Sequence, residues 1–496
     1  MRSLATLGLM ASAVLAPSLA LTEQAFAEEG SLEVYATLLP FFESVGTQGA
    51  TPLGTMTQAT QVPASLFTGI NHERRFRMTS GTSNFGFRGD LPIHGNFKLI
   101  WQVESPTPID GEGPYSWASR NSHVGLTGDW GTLTFGNWDT PMKYATATSV
   151  NPIRGGYVAD MIPIIGSPGH STPALNPDPT LEATFEIFKN RAGFFRHETN
   201  AVQYWSPTVA GFSARLMFGA NERRTFGIPG TEEGLNPYLL SGSIGWDNDW
   251  LRIRYATELH NDYFGTANVG GSGPGLTTPS SQDTAHLGLV SVKLNAGSDY
   301  ETRIVATGDF LKYGTDDVTP EGGGYMNQYS RAAFYALIQQ SFGSHNVWGA
   351  YGQSSEGECN VTGDFECTTT GLSASYFTGG YLYSFTKATG VYAIGYAVIN
   401  DFSARYSPFP FLESRSAANP SLPNILEVAP GADTIGFGIG FVHSFSYKIF
   451  GDKPEAKLEP QSAEPEPAPV KAAEEAPDDE EKASEEAEEV SDPANP

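Results

Sequence analysis

After the first thirty positions the chain contains no run of about 18 apolar residues, so no helix of it is long and oily enough to span a bilayer. Cysteine is nearly missing. Cys359 and Cys367 are the only two in 496 residues, and no histidine lies near them. That excludes an ordinary zinc centre, while in an oxidising compartment the two would close a local disulfide. Basic residues are scarce as well, 29 Lys and Arg against 55 Asp and Glu, for a net charge of −26. No basic patch exists to neutralise phosphates, which excludes nucleic-acid binding. Catalytic signatures are missing too: there is no Gly-x-Ser-x-Gly elbow and no His-Glu-x-x-His, and the nine histidines are scattered. His170-Ser171 lacks an acid partner nearby. The glycines from Gly270 to Gly275 lack the strand-to-helix setting of a phosphate loop. Nothing here calls for a metal or a cofactor.

What is present begins with an export signal. Arg2 precedes an apolar run from Leu4 to Leu15, and Ala25-Phe26-Ala27 offers a small-x-small cleavage site before Glu28. A second such site is Ser18-Leu19-Ala20. The sequence therefore divides into a signal peptide (1–27), a folded body (28–450) and a tail (451–496). The tail is rich in Pro, Ala and Glu, with about sixteen acids against four lysines, a composition expected to stay disordered. An exported chain without a spanning helix that stays in a membrane must cross it as a closed barrel.

The body alternates with period two. Leu32, Val34, Ala36 and Leu38 oppose Glu33, Tyr35 and Thr37. Phe97, Leu99, Trp101 and Val103 oppose Lys98, Gln102 and Glu104. Leu251, Ile253 and Tyr255 oppose Arg252 and Arg254, and Ile435, Phe437, Ile439 and Phe441 oppose glycines and Thr434. Strands of this kind need one wet face and one oily face. A soluble sandwich shares that property, and the connections separate the two. Short turns are expected at Gly89-Asp90-Leu91-Pro92, Gly128 to Gly131, Ser206-Pro207-Thr208, Asp247-Asn248-Asp249, Asn295 to Ser298, Gly343-Ser344-His345 and Lys387 to Gly390. Long loops lie near 45–72, 105–116, 138–195, 221–237, 262–282, 314–329, 354–370 and 401–432. Seven short turns and eight long loops require about sixteen antiparallel strands whose first and last meet on the short-turn side. Sixteen strands enclose a channel rather than a packed core. Trp130, Tyr204, Trp205, Trp246, Trp250, Tyr300 and Phe385 cluster where strands meet turns, as interfacial girdles do.

The connection from Asn137 to Arg196 is far beyond the 12–15 residues at which loops become unusual. Its segment Gly155 to Gly166 is too apolar for a solvated tail, so it must pack against something. The inside wall of the barrel is the expected surface.

From Ser31 to Phe445 the chain resembles the Gram-negative general porins. The matching pieces are Val34-Tyr35, Asn84 to Gly89, Arg120 to Leu126, Gly131 to Gly136 with Thr140-Pro141, Asn200 to Pro207, and Gly431 to Phe445. The resemblance implies an all-β fold, a 16-stranded antiparallel transmembrane β-barrel with an inward-folded third loop. It implies a homotrimer in the outer membrane, among its lipids and lipopolysaccharide, passing ions and small hydrophilic solutes, with the tail on the periplasmic side. In the family, acids on the third loop face arginines on the wall. Asp160-Met161-Ile162-Pro163 matches the acidic tip, and Arg120 and Arg196 match two wall arginines. Arg154, Glu182 and Glu186 lie in the same loop and join the expected constriction. The chain departs from the pattern at Ile164, where a second acid is usual, at Asn84, where an arginine is usual, and at Thr37, where a lysine is common. The transverse field should therefore be weaker than in strongly polarised pores. Counted back from Val124 and Leu126, Arg120 would fall on the lipid face unless a bulge turns it inward. Arg74, Arg75 and Arg77 cannot all face one way. The chain also continues past the family's usual terminal aromatic, with Ser446-Tyr447-Lys448-Ile449-Phe450 before the tail. A substrate-selective channel of the same fold is the alternative reading, and a barrel enzyme or adhesin a more distant one.

Overall fold

The computed structural model describes residues 30–52, 69–111, 117–153, 157–168, 193–220, 237–262, 281–314, 326–361, 368–408 and 428–451. Both ends of the chain, Arg154, His170, Glu182, Glu186, Cys367 and the glycines from 270 to 275 lie outside them. Among the described residues, nineteen strand segments form one antiparallel sheet, and three of the interruptions fall within single strands. β1 is Ser31–Leu38 continued as Phe41–Gln48, since both segments pair with the last strand. β2 is Arg75–Thr79 continued as Asn84–His94, both paired with β1. These two breaks lie side by side, where Leu39 N–H donates to Ser83 Oγ at 2.8 Å. Sixteen strands result.

The others are β3 (Phe97–Pro106), β4 (Ser122–Gly128), β5 (Gly131–Asp139), β6 (His197–Trp205), β7 (Phe212–Ala220), β8 (Tyr238–Asp247) and β9 (Leu251–Asn261). They continue with β10 (Gln282–Leu294), β11 (Thr302–Gly314), β12 (Met326–Phe342) and β13 (His345–Ser354 continued as Glu358–Val361). β14 (Ala374–Thr386), β15 (Thr389–Asn400) and β16 (Asp433–Phe450) complete the wall. β1 closes on β16 from Leu32↔Phe450 to Gln48↔Asp433. The ends thus meet on the short-turn side, as the turn count requires.

Six of the seven short turns stand where the sequence puts them. The first does not. Gly89 to Pro92 is strand, and the reversal falls at Gly95 (φ +58°) and Asn96. Pro92 is tolerated because it sits at the frayed end of the ladder, where its missing N–H is cheap.

Alternation sorts side chains to two faces. Outside, Ile253, Tyr255, Ile304, Phe310, Phe334, Ile338, Phe377, Phe437 and Ile439 are each more than 40% exposed. Such a surface would make a soluble protein stick to itself, and it is what a lipid-facing barrel wall requires. Trp130, Trp250, Tyr300 and Phe385 stand exposed at the short-turn rim, Tyr204 stacks on Trp130, and Trp246 N–H bonds Ala210 O. Trp205 departs from the girdle. It faces inward and is buried with Trp138, Ala201, Met217 and Leu239.

The interior is not uniformly polar. From β9 to β15 the inward residues include Ala256, Ala285, Leu287, Leu289, Val305, Leu311, Tyr335, Leu337, Tyr376, Ile394 and Val398, all buried. The barrel therefore has a hydrophobic core on one half of its inner wall, and something apolar must cover it.

Candidate functional site

The cover is the loop from Thr140 to Arg196. It opens with α1 (Pro141–Val150), where Pro141 occupies the first turn and Thr140 Oγ1 accepts the Lys143 N–H at 3.3 Å. Proline with an N-cap threonine is a strong start signal. α1 packs on β8, β9 and β10, burying Met142 and Ala145. The Arg215 guanidinium lies 3.2 Å from the centre of the Tyr144 ring, a close cation–π contact. The segment then crosses to the far wall. Ile153, Val158, Ala159, Met161, Ile164, Ile165 and Phe194 join one cluster with the apolar residues of β9–β15. Each fully buried Ile or Met contributes about 1.5–3 kcal/mol, which is why the described segments of this loop are held against the wall.

Polar contacts set its position. The Val158 carbonyl accepts from Tyr376 Oη at 2.6 Å and from Thr378 Oγ1 at 2.5 Å. Arg331 and Asp309, both fully buried, pair at 2.5 Å. Arg331 donates to Ser167 O at 2.8 Å and to Ile164 O at 3.0 Å, while Asp309 accepts the Gly166 N–H at 2.6 Å. One wall ion pair thus grips both sides of the loop tip. From above, Tyr406 of the last long loop bonds Ser354 and lies against Arg331. On the return leg, Phe194 stacks on His260 at 4.5 Å, and Thr140 N–H reaches Arg196 O at 3.1 Å, joining the two legs. Sequence reading missed Arg331, Asp309, Tyr376 and Thr378. Parity alone would have put Asp309 inward, between Thr307 and Leu311, but its partner depends on register.

Asp160 sits at the loop's innermost turn, half-buried. Its Oδ1 accepts the Met161 N–H at 2.6 Å and it also receives the Ile162 N–H, so it caps the turn at 161–165. Burial raises its carboxyl to about 6, against the pull of those N–H groups and of Lys143.

The opposite arc, β1–β6, is polar, and Arg77, Arg88, Arg120 and Arg196 are each held by an acid of its own wall. Arg120 donates to Glu104 at 2.7 Å, and Glu104 also accepts from Tyr35 Oη at 2.9 Å. Arg196 pairs with Glu198 at 2.9 Å, Arg77 with Glu43 at 2.7 Å and Arg88 with Glu33 at 2.7 Å. Lys143 pairs with Asp139 at 2.5 Å. Arg120 needs no bulge to face the lumen, because it precedes β4 and strand parity does not govern it. The triplet of arginines divides. Arg75 pairs across from Val45 beside inward Arg77, and Arg74 lies on the outer surface over the Phe437 ring. Thr37 bonds Ser444 at 3.1 Å and Asn84 bonds Thr82 O at 3.1 Å, so neither position carries charge. Cys359 is disulfide-bonded, and the one other cysteine of the chain is Cys367.

Comparison with known proteins agrees with this architecture. The Gram-negative porin family matches over residues 5–401. The chain is similar to the major outer membrane protein P.IA of Neisseria meningitidis serogroup B (strain ATCC BAA-335 / MC58), 25% identical over 160 residues, 32% of this chain and 33% of that protein. It is similar to P.IB of Neisseria lactamica, 25% identical over 189 residues, 38% of this chain and 46% of that protein. The matches span about a third to a half of the length of these curated relatives. Among solved structures, the fold is like that of an anion-selective porin from Comamonas acidovorans, with a TM-score of 0.56 at 14% identity, covering 84% of this chain and 100% of that one. Outer-membrane expressed OmpT of Vibrio cholerae gives 0.50 at 14% identity, covering 84% and 99%.

Proposed function

The chain belongs to the Gram-negative porin family, and on that premise we propose that it forms a water-filled channel for passive diffusion of ions and small hydrophilic solutes across the outer membrane. The observation that carries this is the division of the barrel's interior. The loop covers the apolar half of the wall, and the remaining arc, with its charged pairs, is left to water. The eyelet lies between Asp160 and that arc, with Arg120 and Arg196 on the wall side; Arg154, Glu182 and Glu186 belong to the same loop. Because the wall arginines are neutralised by neighbouring glutamates, the transverse field is weak and selectivity modest. In planar bilayers the purified protein should give stepwise, non-saturating ion currents. Silent bilayers, or saturable passage of one solute only, would sink the proposal. Current that one solute class blocks at low concentration would favour the substrate-selective alternative. Hydrolysis lost on changing His170 would favour a barrel enzyme, and surface binding that survives full blockage would favour an adhesin.

The working unit is a homotrimer. An apolar hollow of about 540 Å³ on the outer face, lined by Phe42, Phe76, Tyr381, Phe437 and Ile439 around Gly379 and Gly395, supports it, because a second barrel can fill what a smooth wall would not. The signal peptide at 1–27 and the periplasmic side of the acidic tail complete the reading.

Asp160→Asn keeps the cap on the turn and removes the charge. It should shift the reversal potential toward anions with little loss of folding. The wild type should show the same shift by pH: its carboxyl titrates at about 6, so it is ionised above that value and neutral below. Cation preference should therefore rise between about pH 5 and about pH 7, while Asp160→Asn stays flat across that range. An identical pH profile in both proteins would remove Asp160 from the pore.

A further inference from the structure

The last five residues of β16 extend the wall beyond the point where the resemblance ends, and they bring the cation Lys448. Register sets Lys448 opposite Glu33 across the barrel's closing seam. Glu33 is already held from its other side. Arg88 donates Nε to Glu33 Oε2 at 3.0 Å and Nη2 to Oε1 at 2.7 Å, and Ser446 Oγ adds a third bond. One carboxylate therefore lies between two cations. Lys448 acts on it electrostatically, yet its Nζ has no hydrogen-bond partner among the described residues.

Two residues further toward the short-turn mouth, Lys98 reaches Asp90 at 3.0 Å, and Ser31 bonds the other oxygen of that carboxylate. Across these adjacent levels, about 7 Å apart along a strand, three cations face two carboxylates. Two of the cations are the more exposed members, while Lys448 Nζ is buried. Arg88 and Lys98 are 33% and 35% exposed, against 16% and 20% for Glu33 and Asp90. The acids lie behind, against the wall; the Arg88 and Lys98 donors face the lumen, and the buried, unpartnered Lys448 Nζ lies beside them. Such a cluster carries net positive charge, spare N–H donors and a planar guanidinium at its centre. These are the features that hold a small oxyanion.

We propose that Lys448, Arg88 and Lys98 form a binding site for small oxyanions of the phosphate or carboxylate class at the short-turn mouth of the barrel. The site rests on the pore reading for its place in transport but not for its existence. Lys448 is its distinguishing member, since it comes from the extension past Phe445, and Glu33 is its brake, since it competes with the anion for both cations.

The test is calorimetric titration of the full-length, detergent-folded protein with inorganic phosphate, which reads binding whether or not the protein conducts. Removing one cation from a partly exposed site should weaken binding about five-fold in Lys448→Gln. Glu33→Gln should tighten it by a similar factor, because it frees two cations and removes a repulsive neighbour. The opposite signs guard against misfolding, which weakens binding in any variant. No measurable phosphate binding by the wild type would overturn the site, as would equal affinity in wild type and Lys448→Gln, or weaker binding in a folded Glu33→Gln. Phosphate added to one side of a bilayer at a time should then depress the current from the short-turn side. Intact binding with silent bilayers would leave the site standing and remove the channel.

Discussion

Arg331→Met should produce a barrel that still assembles but conducts more, and less steadily, than the wild type. The guanidinium is fully buried, paired with Asp309 and bonded to the carbonyls of Ile164 and Ser167. Methionine fills much of its volume and satisfies none of those groups. It also leaves Asp309 charged and buried without its counter-ion. Breaking one side of a buried pair costs about 3–5 kcal/mol. The sixteen-strand ladder does not depend on this pair, so the loss falls on the attachment of the loop tip. With the tip released, the channel loses the constriction proposed for it. Single-channel recording should give larger steps with added open-channel noise, and the midpoint of heat or urea unfolding should fall. Asp309→Asn with Arg331→Met should recover part of the stability, because it removes the orphaned charge, but should leave the tip unpinned. Unchanged conductance in the single variant would mean that the loop is held elsewhere.

Ile164→Asp carries the second large effect, and here sequence and structure predict opposite things. By resemblance, the change restores an acid that the family usually has after the proline, so it should simply strengthen the field of the eyelet. In the structure Ile164 has no exposed surface, and its Cγ2 sits 2.8 Å from where a side chain on Gly352 would begin. A carboxylate there faces Tyr335 and the apolar wall, not water. Burying a charge without a partner costs several kcal/mol, more than the tip's hydrophobic contacts return. The tip should swing off the wall, giving a conductance rise like that of Arg331→Met instead of a clean gain in cation selectivity. A normal-sized, more cation-selective channel would show that Ile164 faces the pore. Gly352→Ala probes the same contact without charge, and should displace the tip by crowding it.

These two results would share a cause that the sequence hides. Period-two patterning reports which face a residue occupies, and it reports that well wherever the ladder is regular. Phe437, Ile439 and Phe441 lie outside, and Arg254 lies inside, as alternation requires. It fails at interruptions. Residues 80–83 break β2, so the inward set passes from Arg75 and Arg77 to Asn84 and Arg88, and no local signal reveals the change of parity. Trp205 departs from the expected girdle for a related reason. Tryptophan beside a turn usually marks the interface, but this one alternates inward with Ala201 and Gln203. The resemblance singles out Arg120, Arg196 and Asp160 by position, yet it could not say that Glu104 and Glu198 hold the two arginines. Those partners lie on other strands or arise from packing.

By itself, then, the sequence determined the sixteen-strand barrel, its closure on the short-turn side, its oily exterior and the presence of an inward loop. All of these follow from local periodicity, turn chemistry and loop length, which are readable a few residues at a time. Only the tertiary structure decided that the interior is half apolar, that Arg331 and Asp309 grip the tip, and that wall charges pair with one another. It also decided that Lys448 meets Glu33 across the seam. Apart from the near-neighbour pairs Arg196–Glu198 and Lys143–Asp139, these join residues distant in the chain, and strand register, which no short stretch of sequence encodes, sets which of them meet.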